Sequence, residues 1–338
     1  MRRPTILALA GILVVAFGAY SAYWWFAAGK IKLAAGDWAQ AAHQQQLDVS
    51  WQDIRVAGYP FAFRLELAGV VATDKASNPP VELRAPQLSA TIWPWNFHDV
   101  WLDAPAKVSV LAGADSAPAA KLDADAAEGA IALAGDGGMT VWATIVRPNL
   151  SAPVTLSARS ANLWVVKPAH PPSSHSEPAI AVAALLHDLA LPAAPAGFNK
   201  TVDELAAGVT LMGALPSGAP REAATAWRDS GGTLELDHLD AQWGAVGLTG
   251  SGTLALDADL QPEGSLSGAV SGYDQLLTAL VAAGQIKGSD ARVAKLGLSF
   301  LGQPGANGRQ QISTSFTIQN GQMRLGPIKL GKAPHIDW

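Results

Sequence analysis

The sequence GYPFAFRLEL at residues 58–67 is the stretch on which the fold depends most. Successive side chains of a strand point to opposite faces, so a strand here would carry apolar residues on one face and Pro, Ala, Arg and Glu on the other. Two interpretations of the apolar face stay open: it belongs to the protein's own core, or it binds an apolar ligand. The residues of this face are Tyr59, Phe61, Phe63, Leu65 and Leu67.

A second aromatic stretch, IWPWNFHDVWL, follows at residues 92–102. Large aromatic side chains dominate both protein cores and binding surfaces. The stretch is therefore either a corner between core strands or a surface near the membrane for a ligand or partner. In the second interpretation Trp93 and Trp95 lie at the mouth of a groove that the first stretch lines.

The N-terminus carries a long apolar run. No residue from 5 to 29 is charged, and the run is longer than the roughly 20 residues that cross a bilayer core as a helix. Aromatic residues near its end, followed by lysines, are typical of a membrane–water interface. We expect residues 1–29 to be a membrane anchor, with Tyr20, Tyr23, Trp24 and Trp25 at the interface.

A cleaved signal peptide is the alternative for this segment. Its apolar region would be residues 6–17, with small residues for cleavage at 18–22. The apolar run continues through Phe26, which favours an uncleaved anchor. We expect a single-pass inner-membrane protein with the bulk of the chain, residues 30–338, in the periplasm, because long downstream domains are translocated largely regardless of charge.

The rest of the chain divides by composition into four regions. They are a helical stalk at 30–46, a β-rich region at 47–166, a Pro-rich loop with helices at 167–230, and a second β-rich region at 231–338 that continues the first. Apolar spacing and capping residues predict helices at 179–190, 201–215 and 221–228. The last region contains GTLELD at 232–237, GTLALD at 252–257 and a hairpin signal, Asn-Gly, at 320–321.

These patterns predict a mainly β fold with a few helices. We expect a large antiparallel sheet that is partly covered and that hangs from one N-terminal transmembrane helix. A net charge of −5 argues against a nucleic-acid partner. The absence of cysteine excludes thiolate chemistry. No spacing typical of a catalytic, nucleotide or metal site is visible, so we expect no enzyme activity, no cofactor and no metal.

The pattern of these motifs resembles a known family. Trp51, the GYPF strand and the strand at 88–95 resemble an uncharacterised family of Gram-negative envelope proteins that is described as a domain of unknown function. The Gly-punctuated hairpins at 243–270 and the sequence NGQMRLGPIKLG at 320–331 belong to the same resemblance. The chain is also distantly similar to the AsmA-like envelope proteins, which have one N-terminal span and long sheets with an apolar face and are implicated in moving or organising lipids.

The resemblance implies an envelope location and a β-rich architecture. Together with the apolar strand near the membrane, it leads us to expect a non-enzymatic anchored protein that binds a membrane lipid or another apolar ligand in envelope maintenance or lipid handling. The alternative is a structural scaffold that contacts envelope proteins and has no ligand.

Overall fold

The chain consists mostly of antiparallel strands. The structure, a computed structural model, describes residues 3–114, 117–194, 197–216, 218–282, 284, 286–304, 310–325, 328–333 and 335–336. Arg2, and Gly326 and Pro327 of the last predicted hairpin, lie outside these ranges. The described residues contain four helices, which confirms the predicted mainly β class with a few helices. Two compact units are present: unit 1 holds residues 1–132 and 150–153, and unit 2 holds residues 133–149 and 154–338.

The helices and strands follow one another in this order. They are α1 Arg3–Gln44, β1 Leu47–Ser50, β2 Asp53–Ala57, β3 Phe63–Asp74, β4 Val81–Trp93, β5 Asn96–Ala104, β6 Val108–Ala114, β7 Ala117–Ala124, β8 Ala126–Leu133, β9 Met139–Val146, β10 Asn149–Ser151, β11 Thr155–Ser157, β12 Ser160–Lys167, β13 Pro178–Ala190, β14 Thr201–Met212, α2 Pro220–Asp229, β15 Thr233–Trp243, β16 Val246–Leu256, β17 Pro262–Ser271, α3 Tyr273–Ala282, α4 Gly288–Leu301, β18 Gln303–Pro304, β19 Gln310–Gln319, β20 Gln322–Leu325 and β21 Ile328–Lys332.

Helix α1 is continuous through the predicted anchor and the predicted stalk. Alanine, leucine and other good helix formers fill both parts. The helix is long and apolar enough to cross a membrane. It ends two residues before Gln46, whose φ of +64° leaves the helical region.

The sheet of unit 1 is built around β3 and β4. Strands β1 and β2 both pair with β3, which pairs with β4. The first part of β4 pairs with β6 and its last part with β5. Strand β5 pairs with β8, β6 pairs with β7, and β7 pairs with β10.

The sheet of unit 2 is a long antiparallel series. Its pairing order is β9, β12, β13, β14, β15, β16, β17, β19, β20 and β21. The two related hexapeptides start β15 and end β16, where their equivalent leucines, Leu234 and Leu254, pair directly. The Asn-Gly hairpin is confirmed: Asn320 and Gly321 both have positive φ, as a two-residue turn requires, and Gln319 pairs with Gln322.

Two predicted helices are wrong. Residues 179–190 and 201–215 correspond to strands β13 and β14, which pair with each other along most of their length. Their alanines are compatible with a helix. However, each segment has a neighbouring strand on both sides that pairs with its backbone N–H and C=O groups, and such tertiary pairing overrides a weak local preference. The predicted helix at 221–228 is present as α2.

Candidate functional site

The GYPF motif forms a turn, and the strand begins only after it. The backbone amides of Phe61 and Ala62 both donate to the Gly58 carbonyl, at 3.0 and 2.9 Å. Gly58 has a φ of +98°, and a Cβ there would lie 2.6 Å from the Ala62 carbonyl oxygen, so the turn requires glycine. The predicted strand at 58–67 is therefore wrong in its first half, and Tyr59 and Phe61 do not share a strand face with Phe63.

Phe63 is buried against α1. The Phe63 ring stacks on Trp24 with 5.4 Å between centroids, and each side chain is 1% exposed. The Trp24 indole N–H donates to the Ala62 carbonyl at 3.2 Å. Ala28 completes the buried cluster, and Val56 and Ile92 pack around it. For this residue, the structure gives the core interpretation of the apolar face.

The residues predicted at the membrane interface divide into two sets. Tyr20 donates its hydroxyl to the Pro60 carbonyl and Trp24 packs on the sheet, so these two contact the protein. Tyr23 and Trp25 are exposed. Tyr59 lies beside both sets, with its ring 5.4 Å from the Trp24 ring and 6.3 Å from the Trp25 ring.

Leu65 and Leu67 continue on the apolar face of unit 1. Leu65 pairs with Val56 and Ala90, and Leu67 pairs with Ile54 and Leu88, so the face extends across β2, β3 and β4. The opposite face is charged. Arg55 contacts Glu66 at 2.6 Å, and Asp53, Arg64 and Asp103 lie around the same shallow cavity.

Trp93 and Trp95 occupy the hairpin between β4 and β5, and they do not meet. Trp93 contacts Trp101 edge to face at 6.1 Å. Because Trp93 follows Ile92, the partner of Phe63, it points to the face opposite Phe63 and Leu65. Trp95 lies in the turn itself and is 70% exposed. The structure therefore does not gather the seven predicted ligand-binding residues around one groove.

A larger apolar surface, which we call the apolar strip, is present on one face of the unit 2 sheet. Residues that pair directly across antiparallel strands point to the same face, so the register defines the strip. Its members lie on six strands, and Thr314 is the only polar residue among them. They are Ile180, Val182, Ala184 and Leu186, then Leu205, Ala207, Val209 and Leu211, then Leu234, Leu236, Leu239 and Ala241, then Leu248, Gly250, Gly252 and Leu254, then Gly264, Leu266, Gly268 and Val270, then Ile312, Thr314, Phe316 and Ile318.

The apolar strip is partly exposed. None of its leucine, isoleucine, valine or phenylalanine side chains is buried, and Val182 and Leu248 are 41% and 39% exposed. Helix α2 reaches one end of the strands, where the Trp227 indole N–H donates to the Met212 carbonyl at 2.8 Å. At the other end the Phe198 ring stacks on Trp243 at 4.4 Å.

On β15, β16, β17 and β19 the opposite face of the same sheet is polar. Serine and threonine alternate with the apolar residues on β16, β17 and β19. The hydroxyl of Thr253 donates to Glu235 at 2.6 Å, and that of Thr210 donates to Asp237 at 2.7 Å. These strands are therefore amphipathic, whereas on β13 the opposite face is also apolar, with Ala181, Ala183 and Leu185.

The sequence patterns do not predict the apolar strip, because two of its strands also fit the spacing of helices. The signal was present: Leu205, Ala207, Val209 and Leu211 alternate as a strand requires. The sequence predicts the hairpins at 243–270, but it does not by itself place their leucines on one face.

Comparison with known proteins places the chain in a family. The model of the family described as "Uncharacterized protein conserved in bacteria (DUF2125)" matches residues 24–334, so the chain belongs to it. This confirms the predicted membership of an uncharacterised family. No curated protein and no solved structure matches the chain.

Proposed function

Because the chain belongs to a family without a known activity, we propose its function from the geometry alone: it is a membrane-anchored, non-enzymatic protein that binds lipid acyl chains on the apolar strip of unit 2. The observation that carries the proposal is the strip itself, which extends across six paired strands with Thr314 as its only polar side chain and with none of its large side chains buried.

Energetics favour an acyl chain as the occupant. An acyl chain gains about 0.8 kcal/mol for each methylene that it buries. Partial burial of a single chain therefore suffices for binding without any charged group. A water-exposed apolar surface that extends over several strands is also unusual in a soluble protein, because such surfaces mark binding sites or cause aggregation.

We place α1 in the inner membrane and the sheet-containing units in the periplasm. Helix α1 is long and apolar enough for the span, and a long domain that follows one N-terminal span is translocated largely regardless of its charge. This location gives the strip access to phospholipids of the envelope, and it agrees with a role in lipid handling or envelope maintenance.

Site-specific photocrosslinking in cells tests the proposal. The photoreactive residue p-benzoylphenylalanine replaces Phe316 or Leu266 on the strip, and Ser315 or Ser267 on the opposite face as matched controls one residue away. Irradiation of the full chain in cells grown with radiolabelled phosphate should attach phospholipid at 316 and 266. The same treatment should attach none at 315 and 267.

The two alternatives give different results. Equal phospholipid labelling on both faces, or no labelling at any of the four positions, contradicts the proposal. Protein adducts at Phe316 and Leu266 without lipid would instead favour the scaffold function, because the strip would then contact an envelope protein.

A further inference from the structure

We propose that unit 1 docks onto the lipid bilayer through an aromatic end of its sheet, so that the protein is held at the membrane surface by more than its helix. The aromatic end consists of Tyr59 and Phe61 in the turn at residues 58–62, and of Trp95 and Phe97 at the β4–β5 hairpin. The inference rests on the membrane anchor of the proposed function and is independent of the apolar strip.

The strand register places the two turns at the same end of the sheet. Phe63, the first residue of β3, pairs with Ile92. The turn at 58–62 directly precedes Phe63, and the hairpin that Trp93 and Asn96 close directly follows Ile92. Both turns therefore lie at the same end of the paired strands.

Large aromatic side chains are exposed at this end. Phe61, Trp95 and Phe97 are 72%, 70% and 52% exposed. Exposed aromatic residues at the ends of elements are typical of the headgroup region of a membrane, where their rings are partly buried among acyl chains. The opposite end of β3 and β4 has a different character, with the polar sequence KASNPP at residues 75–80.

The packing of α1 sets the depth of the aromatic end. Phe17 contacts Tyr59 at 6.4 Å between ring centroids, and Ser21 shares a 2.7 Å hydrogen bond with the Tyr59 hydroxyl. The turn thus lies alongside residues 17–24 of the helix. The uncharged part of α1 begins after Arg3, and its residues 4–16 are about 20 Å long at about 1.5 Å per residue.

That length is too short to cross the membrane alone. The hydrocarbon core is about 30 Å thick, so an uncharged span that begins after Arg3 includes about seven further residues, up to about Tyr23. These are the residues that contact the turn at 58–62, and the turn is therefore drawn to the boundary between hydrocarbon and headgroups. The stacked pair Trp24 and Phe63 fixes the helix to the sheet, which keeps the turn at this level.

Depth-dependent quenching in a bilayer tests the docking. The chain has no cysteine, so the single changes Phe61→Cys, Trp95→Cys, Ala76→Cys and Ile12→Cys each allow one fluorescent label on the full chain. All four positions are exposed. The labelled proteins are placed in phosphatidylglycerol–phosphatidylcholine nanodiscs whose lipids carry a nitroxide near the headgroup or deep in the acyl chain.

We expect the shallow nitroxide to quench the labels at 61 and 95 at least about twofold more than the label at 76. The label at 12 should be quenched by the deep nitroxide. If 12 is quenched but 61 and 95 are quenched no more than 76, the docking is overturned and the anchor stands. If no position is quenched, both are overturned. Protection of 61 and 95 from aqueous iodide without lipid quenching also overturns the docking, because a protein partner then covers this end.

Discussion

Phe61 and Phe63 offer a direct test of how α1 is attached to unit 1. The two side chains are chemically identical and two positions apart, but one is 72% exposed and the other is 1% exposed. Full burial of a phenylalanine stabilises by about 1.5–3 kcal/mol, and the cavity left by truncation raises the cost of Phe→Ala to about 3–5 kcal/mol. Phe63→Ala should therefore destabilise β3 and β4 by about 3–5 kcal/mol. Phe61→Ala should change their stability by no more than about 0.5 kcal/mol.

Amide hydrogen exchange measured by mass spectrometry is the suitable assay. It reports opening of individual segments, which matters because a chain with two units and a membrane helix does not unfold in one step. Each 1.4 kcal/mol is about a tenfold change in an equilibrium constant, so peptides of β3 and β4 in Phe63→Ala should exchange about 10² to 4 × 10³ times faster. Peptides of β14 to β17 serve as an internal reference in the same sample.

A double-mutant cycle assigns the effect to the helix contact. Trp24→Ala alone removes the stacking partner and its hydrogen bond to the Ala62 carbonyl. The double variant should be less destabilised than the sum of the two single variants by about 0.5–1.5 kcal/mol for the ring contact. Equal effects of Phe61→Ala and Phe63→Ala, or additivity of Trp24→Ala and Phe63→Ala, would refute the packing of α1 on β3.

Two further predictions concern unit 2. Gly250 and Gly268 pair directly, but a Cβ on Gly268 would lie 2.3 Å from the Thr249 carbonyl oxygen, whereas a Cβ on Gly250 would make ordinary contacts. Gly268→Ala should therefore raise amide exchange in β16 and β17 by an amount equivalent to about 1–3 kcal/mol. An equal effect of Gly250→Ala would contradict this. The backbone N–H and hydroxyl of Ser173 hold the pKa of Glu177 below its ordinary 4.5. The hydrogen bonds between the two residues therefore stabilise the loop at 173–177 above pH 4.5, and this stabilisation is lost as the pH falls through the lowered pKa. Carboxyl NMR titration should show that Ser173→Ala raises the Glu177 pKa only part of the way, because the backbone bond remains; an unchanged pKa would show that the hydroxyl contributes nothing.

The fold class could be predicted from the sequence because alternation and turn residues act locally. The Asn-Gly turn at 320–321 needs two residues with positive φ, and its sequence indicates them directly. Residues 201–212 show where local information ends. Val202, Leu205, Val209 and Met212 fit a helical stripe, and Leu205, Val209 and Leu211 fit a strand equally well. The pairing of this segment with β13 and β15 decides between the two, and a single segment does not encode its neighbours.

The candidate site shows the same limit in a different way. In the sequence, apolar residues alternate with other residues from Tyr59 to Leu67. In the structure, Gly58 turns the backbone, and the strand begins only at Phe63. The apolar run at 5–29 predicts a span, but it does not reveal that one of its tryptophans, Trp24, is the contact that buries Phe63. The turn is local, but the burial of Phe63 depends on which distant segment packs against it, and spacing along the chain carries no such information.

The position of α2 leaves the middle of the apolar strip partly exposed. A sheet with one apolar face is normally completed by a layer that covers that face. In unit 2 the described contacts of α2 are at the strand ends: Trp227 bonds to Met212 at the end of β14, and Arg228 bonds to the carbonyls of Asp257 and Ala258 in the turn after β16. The middle rows, such as Leu236, Leu266 and Phe316, keep partly exposed side chains. An apolar surface in this position loses its contact with water only when another molecule binds to it. Flexible acyl chains can adapt to a surface in which glycines alternate with larger side chains, and this supports the proposal of a lipid-binding face.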